Sequence, residues 1–311
     1  MRHRLDVLHI ETTTACNLRC AHCTRVLPDY EVKSMPWEIF EQLIPAMREY
    51  CPLVFLNGHG EPLVHSDFRK QFAAAADSGC RIRFQTNGQL LSGDLTTWLM
   101  KTGAWDRLDV SIDGATRETY EGIRQGASFS TLEMNLDDFC LHRGQKEKPS
   151  LHVEFVAMTK NISELPAVIS FAARYGVESV LVTELIETPA CRGWSAIRDR
   201  GRFADYLADA SELAHSLNIR LQMPRIEAAI AGQATTWRPC GAEGTACRTP
   251  WMVAYILPDG RVQPCCRLPL SMGSIVDGGL ENVLRGEAWR NLLEQIEAGN
   301  PPEDCRSCPA F

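Results

Sequence analysis

Three cysteines fall within eight residues, Cys16-Asn17-Leu18-Arg19-Cys20-Ala21-His22-Cys23, soon after an apolar run that begins at Val7. Three thiols in one short loop wrap a corner of a compact metal centre, and three sulfurs leave a four-metal cluster with one open position. A zinc knuckle with His22 as fourth ligand is the alternative. The chain holds 13 cysteines, an odd number, and its start, Met1-Arg2-His3-Arg4-Leu5, lacks the apolar run of a secretory signal. Clustered thiols in such a chain point to metal rather than to a disulfide framework, and to a cytoplasmic location.

The loop follows a strand in a longer pattern. From residue 5 to about 185, short apolar runs alternate with amphipathic stretches, the signature of parallel strands joined by crossover helices. Strands are expected at Val7 to Glu11, Leu53 to Asn57, Arg81 to Gln85, Leu108 to Ile112, Leu151 to Ala157 and Ser179 to Thr183. Helices are expected near 36–49, 67–78, 92–102, 130–142 and 163–175, with one more at 202–216 and a short run Ile219 to Gln222. Six units are fewer than the eight that close a barrel, so the fold class is α/β, a partial (β/α)6 barrel whose functional groups gather at the carboxyl ends of the strands.

The pattern then changes to cysteine, glycine and proline. This divides the chain into a barrel core at 1–190, a connecting region at 191–223 and a small C-terminal domain at 224–311. In the last, Val253 to Leu257 and Arg261 to Gln263 flank an Asp-Gly turn as a β-hairpin, and 280–298 reads as one amphipathic helix. Cys247, Cys265, Cys305 and Cys308 supply four thiolates around it, an arrangement also similar in geometry to a zinc ribbon. Cys51, Cys80 and Cys140 read as core residues, and Cys191 lies in the connecting region.

Charge narrows the partners. The chain carries 32 basic and 39 acidic residues, a net −7, which argues against nucleic acid, and no run approaches the roughly 18 apolar residues of a membrane span.

The C-x3-C-x2-C loop after the first strand of a partial barrel resembles the radical S-adenosylmethionine (SAM) superfamily, with His22 where relatives often carry an aromatic residue. Gly58-His59-Gly60-Glu61-Pro62 looks like that family's Gly-Gly-Glu-Pro motif, and Thr86-Asn87-Gly88, Ser111-Ile112-Asp113-Gly114 and the Tyr120 to Arg124 segment follow at later strand ends. The resemblance implies a [4Fe-4S] cluster on Cys16, Cys20 and Cys23 whose open iron chelates SAM. It further implies reductive cleavage to a 5′-deoxyadenosyl radical that takes a hydrogen atom from substrate. By the same resemblance Gly60 and Glu61 meet the methionine ammonium, Asn87, Ser111 and Asp113 hold the ribose and methionine parts, and Arg124 meets the SAM carboxylate.

The C-terminal region is similar to the twitch domain, a shortened SPASM domain, with an auxiliary four-cysteine [4Fe-4S] cluster. An electron donor such as flavodoxin or ferredoxin is implied. Three reaction outcomes fit: inversion of a carbon centre with Cys240 or Cys266 returning a hydrogen atom, oxidation of an alcohol to a ketone, or modification of a ribosomal peptide. Peptide-modifying relatives often carry an N-terminal recognition domain, for which Cys16 leaves no room, so a small sugar-, aminoglycoside- or nucleoside-like substrate and epimerisation are expected. Glu154, Glu184 and Glu187 are candidates for orienting it.

Overall fold

A computed structural model describes residues 5–27, 29–50, 53–196, 200–223, 247–266 and 268–306. It divides into two compact units that exchange the chain at Ala15–Cys16, Glu31–Val32 and Arg83–Phe84.

The first unit takes residues 1–15, 32–83 and 235–311. Strand β1 (Val7–Ile10) pairs in parallel with β2 (Leu53–Leu56), in the register Val7 to Leu53. On its other edge β1 pairs in parallel with β8 (Val253–Ile256), in the register Val7 to Val253, and β8 turns back antiparallel onto β9 (Val262–Gln263). The hairpin expected at the Asp-Gly turn is therefore present, and it continues the sheet of the first strand. Leu8 and Ile10 are fully buried, while His9 on the opposite face is only half-buried, which is the period-2 alternation of a strand. Helices α1 (Trp37–Phe40), α2 (Ile44–Tyr50) and α3 (Phe68–Asp77) belong to this unit.

The single helix expected at 280–298 is two, Gly279–Leu284 and Glu287–Glu297. The break falls at Gly286, whose backbone is extended (φ −64°, ψ 159°) and whose added Cβ would lie 3.0 Å from the Val283 carbonyl oxygen. Apolar periodicity runs through the break because both pieces bury one face, Leu280, Val283 and Leu284 in the first and Trp289, Leu292, Leu293 and Ile296 in the second.

The second unit takes the cysteine loop at 16–31 and residues 84–234. Strand β3 (Arg81–Thr86) runs into it, and β4 (Trp105–Ser111), β5 (Ser150–Ala157), β6 (Ser179–Glu184) and β7 (Arg220–Gln222) lie side by side in parallel. Helices α4 (Gly93–Thr102), α5 (Arg117–Ile123), α6 (Phe129–Arg143), α7 (Leu165–Arg174) and α8 (Arg200–Ser216) connect them. Ser92, Thr116 and Ser128 cap the first turns of α4, α5 and α6 by accepting from Leu95, Thr119 and Thr131 N–H groups. Leu165, Val168, Ile169, Phe171 and Ala172 form the buried face of α7, each large apolar side chain contributing about 1.5–3 kcal/mol. Among the described residues no helix is long and apolar enough to cross a membrane.

Gly88 makes the turn after β3 possible: its φ is +79°, and a Cβ there would sit 2.6 Å from Leu132 Cδ1. Gly103 ends α4 at φ +67° with open space around it. Gly88→Ala is expected to destabilise the protein by about 2–3 kcal/mol and Gly103→Ala by about 1 kcal/mol, measured as unfolding midpoints.

Candidate active site

The cysteine loop is bound to its own unit by backbone. Arg19 N–H donates to the Gln125 carbonyl and Ala21 N–H to the Ile123 carbonyl, each at 2.9 Å, so the loop rests on the end of α5. Cys16, Cys20 and Cys23 are each partly buried, and Cys20 feels the charges of the other two thiols. Burial pushes the Cys20 thiol up to about 11; Arg124 opposes this, while Asp113, Cys23 and Cys16 add to it. The Cys16 sulfur accepts N–H groups from Leu18 at 3.4 Å and Asn87 Nδ2 at 3.7 Å.

Arg124 lies beneath the loop, 6% exposed, with Nη2 2.7 Å from Oδ2 of the fully buried Asp113. Asp113 Oδ1 accepts the Val156 N–H at 2.8 Å, and the Asp113 carbonyl accepts Asn161 Nδ2 at 3.0 Å. His22 Nε2 is 3.7 Å from Asp113 Oδ2, and burial lowers the His22 pKa. Two buried nitrogens here, His22 Nδ1 and Arg124 Nε, have no hydrogen-bond partner within the described structure. Asn87 donates at 2.9 Å to Asn17 Oδ1 inside the loop, and its Oδ1 accepts from Gln89 N–H. The Tyr120 hydroxyl donates to the Asn87 carbonyl at 3.3 Å. Cys16, Cys20, Cys23, Asn87, Asp113 and Arg124 thus form one connected group.

Three adjacent thiols, sulfur-directed N–H donors and a buried guanidinium suit an anionic iron–sulfur cluster with an anionic ligand. Among the described residues no three His, Cys, Asp or Glu side chains converge on one point.

Gly58 to Pro62 belong to the first unit. A Cβ on Gly60 would lie 2.3 Å from the Thr13 carbonyl oxygen and 2.5 Å from that of Ala15, so only glycine permits this approach. Glu61 N–H donates to the Ala15 carbonyl at 2.8 Å, and Glu61 Oε1 accepts the Leu63 N–H at 3.3 Å.

On the second unit's strands, one face carries a polar row. Gln85 Nε2 donates to Ser111 Oγ at 3.0 Å and to Glu154 Oε2 at 2.5 Å, with Ser111 and Glu154 in register across β4 and β5. Arg107 Nε forks onto Asp109 at 2.8 and 3.0 Å in the same face. Burial, then Asp109, push Glu154 up to about 7, against Arg107, Arg124 and the Gln85 hydrogen bond. Glu187 Oε1 accepts the Gly193 and Ser195 N–H groups and shapes its own loop, and Glu184 ends β6.

Of the C-terminal cysteines, Cys247, Cys265 and Cys305 are partly buried and Cys266 is exposed, while Cys240 and Cys308 lie outside the described residues. The Cys265 sulfur accepts the Leu268 N–H at 3.3 Å. Cys80 is buried with its thiol pushed up to about 11 by burial, Cys140 is half-buried and donates to the Tyr175 carbonyl, and Cys51 lies outside the described residues. Sequence reasoning missed Gln85, Asn161 and Glu11. Gln85 and Glu11 are single polar residues at strand ends, where only the alternation of the strand hinted at the face they take, and Asn161 lies in the loop after β5, which carries no such signal.

The model of the radical SAM superfamily matches residues 10–142, and that of the SPASM iron–sulfur cluster-binding domain matches residues 247–309. The AdoMet-dependent heme synthase of Methanosarcina barkeri is 35% identical over 308 residues, covering 92% of this chain and 84% of the relative. The mycofactocin maturase of Mycolicibacterium smegmatis is 27% identical over 321 residues, covering 97% and 74%. A solved structure, native anSMEcpe with bound AdoMet, aligns at a TM-score of 0.71 and 19% identity, covering 97% of this chain and 86% of that one. The parallel sheet and its cysteine loop are thus those of a partial-barrel enzyme that works through SAM and [4Fe-4S] clusters. The chain belongs to the radical SAM superfamily and carries a C-terminal SPASM domain.

The Asn87 amide beside Cys16 stabilises negative charge on sulfur. With a cluster held by these thiols, Asn87→Leu is expected to make it harder to reduce, and Asn87→Asp harder still, read as midpoint potentials by spectroelectrochemistry.

Proposed function

We propose that this enzyme oxidises a small, uncharged or cationic molecule bearing a hydroxyl or amino group, with Glu154 as proton acceptor. When bound, SAM and its cluster supply a radical that takes a hydrogen atom from carbon, and the C-terminal cluster supplies an electron sink. In this reading Cys16, Cys20 and Cys23 hold the first cluster, and Cys247, Cys265, Cys305 and Cys308 the second. Gly60 and Glu61 take the methionine ammonium, Arg124, fixed by Asp113, faces the SAM carboxylate, and Asn87 and Ser111 orient the remaining polar groups. Flavodoxin or ferredoxin is the proposed reductant.

Glu154 is the observation that carries the choice of reaction. Removing a hydrogen atom from carbon and one further electron turns a carbinol into a ketone only if the hydroxyl proton also leaves. A carboxylate buried on β5, oriented by Gln85 and with its pKa raised to about 7, is suited to receive that proton. Inversion instead needs a sheltered thiol, which the exposed Cys266 does not offer. Asp109 takes up the Arg107 guanidinium and Glu154 adds acidity to this face, which favours an uncharged or cationic substrate over a polyanionic one, the class to which a porphyrin carboxylate would belong.

The test is anaerobic turnover with SAM and dithionite on a panel of aminocyclitols, nucleosides and an iron porphyrin carboxylate. Oxidation of an amino or hydroxy compound is expected. Its rate should rise with pH through about 7, because the base must be ionised. Glu154→Gln should lower it about 100-fold or more and remove that rise, with SAM still bound. Consumption of the porphyrin alone, or a Glu154→Gln enzyme with wild-type rate and pH profile, would contradict the proposal.

A further inference from the structure

Glu11, one residue past β1, is 2% exposed and has no part in the roles assigned above. Its Oε1 accepts the His59 N–H at 2.6 Å. Its side chain also fills the space that Gly58 leaves open, since a Cβ on Gly58 would lie 2.3 Å from Glu11 Cγ and Oε1. The Tyr255 hydroxyl donates to the same carboxylate. Tyr255 stands on β8, within the SPASM match at 247–309, whereas His59 lies in the turn that presents Gly60 and Glu61. One buried carboxylate therefore links a strand of the SPASM region to the Gly58–Pro62 turn, all within the first unit.

The Tyr255 end of this link is itself fixed. Its ring packs on His9 at 4.5 Å between centroids, His9 packs on Phe55 at 4.8 Å, and His9 Nε2 lies 2.5 Å from Asn57 Oδ1. The other end is fixed by the Glu61 N–H on the Ala15 carbonyl. Burying a carboxylate costs free energy unless its oxygens are hydrogen-bonded, and here the donors come from the turn on one side and β8 on the other.

We propose that Glu11 is a positioning residue: it sets the backbone of the Gly58–Glu61 turn for the methionine end of SAM, and Tyr255 ties that setting to the SPASM strand. This rests on the reading of the turn as the methionine site.

Equilibrium binding of SAM to the anaerobically reconstituted holoenzyme tests it, with iron content and melting temperature recorded for each variant. Glu11→Ala should raise the SAM Kd roughly tenfold or more at unchanged iron content, in line with the usual effect of removing an outer-shell partner. Glu11→Gln, whose amide oxygen still accepts the His59 N–H, should restore binding to within a few-fold. Tyr255→Phe, which removes the hydroxyl that donates to Glu11, should weaken SAM binding as well. Gly58→Ala, which displaces the carboxylate without removing it, should repeat the Glu11→Ala effect and decides the matter if that variant does not fold. Glu61→Gln is the control: if it weakens SAM while Glu11→Ala, Gly58→Ala and Tyr255→Phe bind as wild type, the inference is overturned and the turn assignment stands. If Glu61→Gln also binds as wild type, the turn assignment itself fails. A lower melting temperature with unchanged Kd would mark Glu11 as merely structural.

Discussion

The ion pair between Arg124 and Asp113 holds the cysteine-loop side of the site together. Asp113 is fully buried at the end of the β4 segment, and Arg124 follows α5, so the pair closes the strand–helix unit on itself. It also places a guanidinium under the loop, where it opposes the burial that would keep Cys20 protonated. Losing one partner of such a pair costs about 3–5 kcal/mol, because the other charge is left buried and unpaired. Val156 N–H and Asn161 satisfy the rest of Asp113, which ties the loop through the pair to the end of β5. The buried cation also suits a region where thiolates, cluster and a SAM carboxylate would otherwise gather like charge.

Much of this was legible in the sequence because parallel barrels place chemistry at fixed points of a repeating pattern. The six expected barrel strands are present with ends shifted by at most three residues, and the cysteine loop, Asn87 and the Asp113–Gly114 turn stand where the pattern puts them. The helix α5 was not read, since Arg117–Ile123 has too few residues for periodicity to show, and its signal is the Thr116 cap. Nor was the parallel pairing of β8 with β1. A pairing between residues so far apart in sequence leaves no local trace, because both strands read as ordinary short apolar runs.

The candidate site was legible in its ligands and less so in their supports. Cysteines and glycines carry constraints visible in one residue: a thiol at fixed spacing, or a Cβ that cannot fit at Gly60. The residues that orient them, Gln85, Asn161, Glu11 and Glu164, are single polar side chains that each reach a partner far away in sequence: Glu154, Asp113, His59 and Ala115. Glu164 shows the pattern well: it accepts from Ala115, Thr116 and Thr119 and so fixes the start of α5, whose far end leads into Arg124. Burial strengthens the contacts of Glu11 and Asn161, and that burial is a property of the fold rather than of any local run.

Cys16, Cys20 and Cys23 are proposed to hold an iron–sulfur cluster distinct from the C-terminal one. Iron analysis and Mössbauer spectroscopy of the anaerobically reconstituted enzyme, beside a Cys16, Cys20 and Cys23 triple alanine variant, test this directly. About eight irons per chain in two cubanes, falling to about four with loss of SAM-derived 5′-deoxyadenosine, is the predicted result. An iron content unaffected by the triple substitution, or zinc in place of iron at the loop, would contradict it.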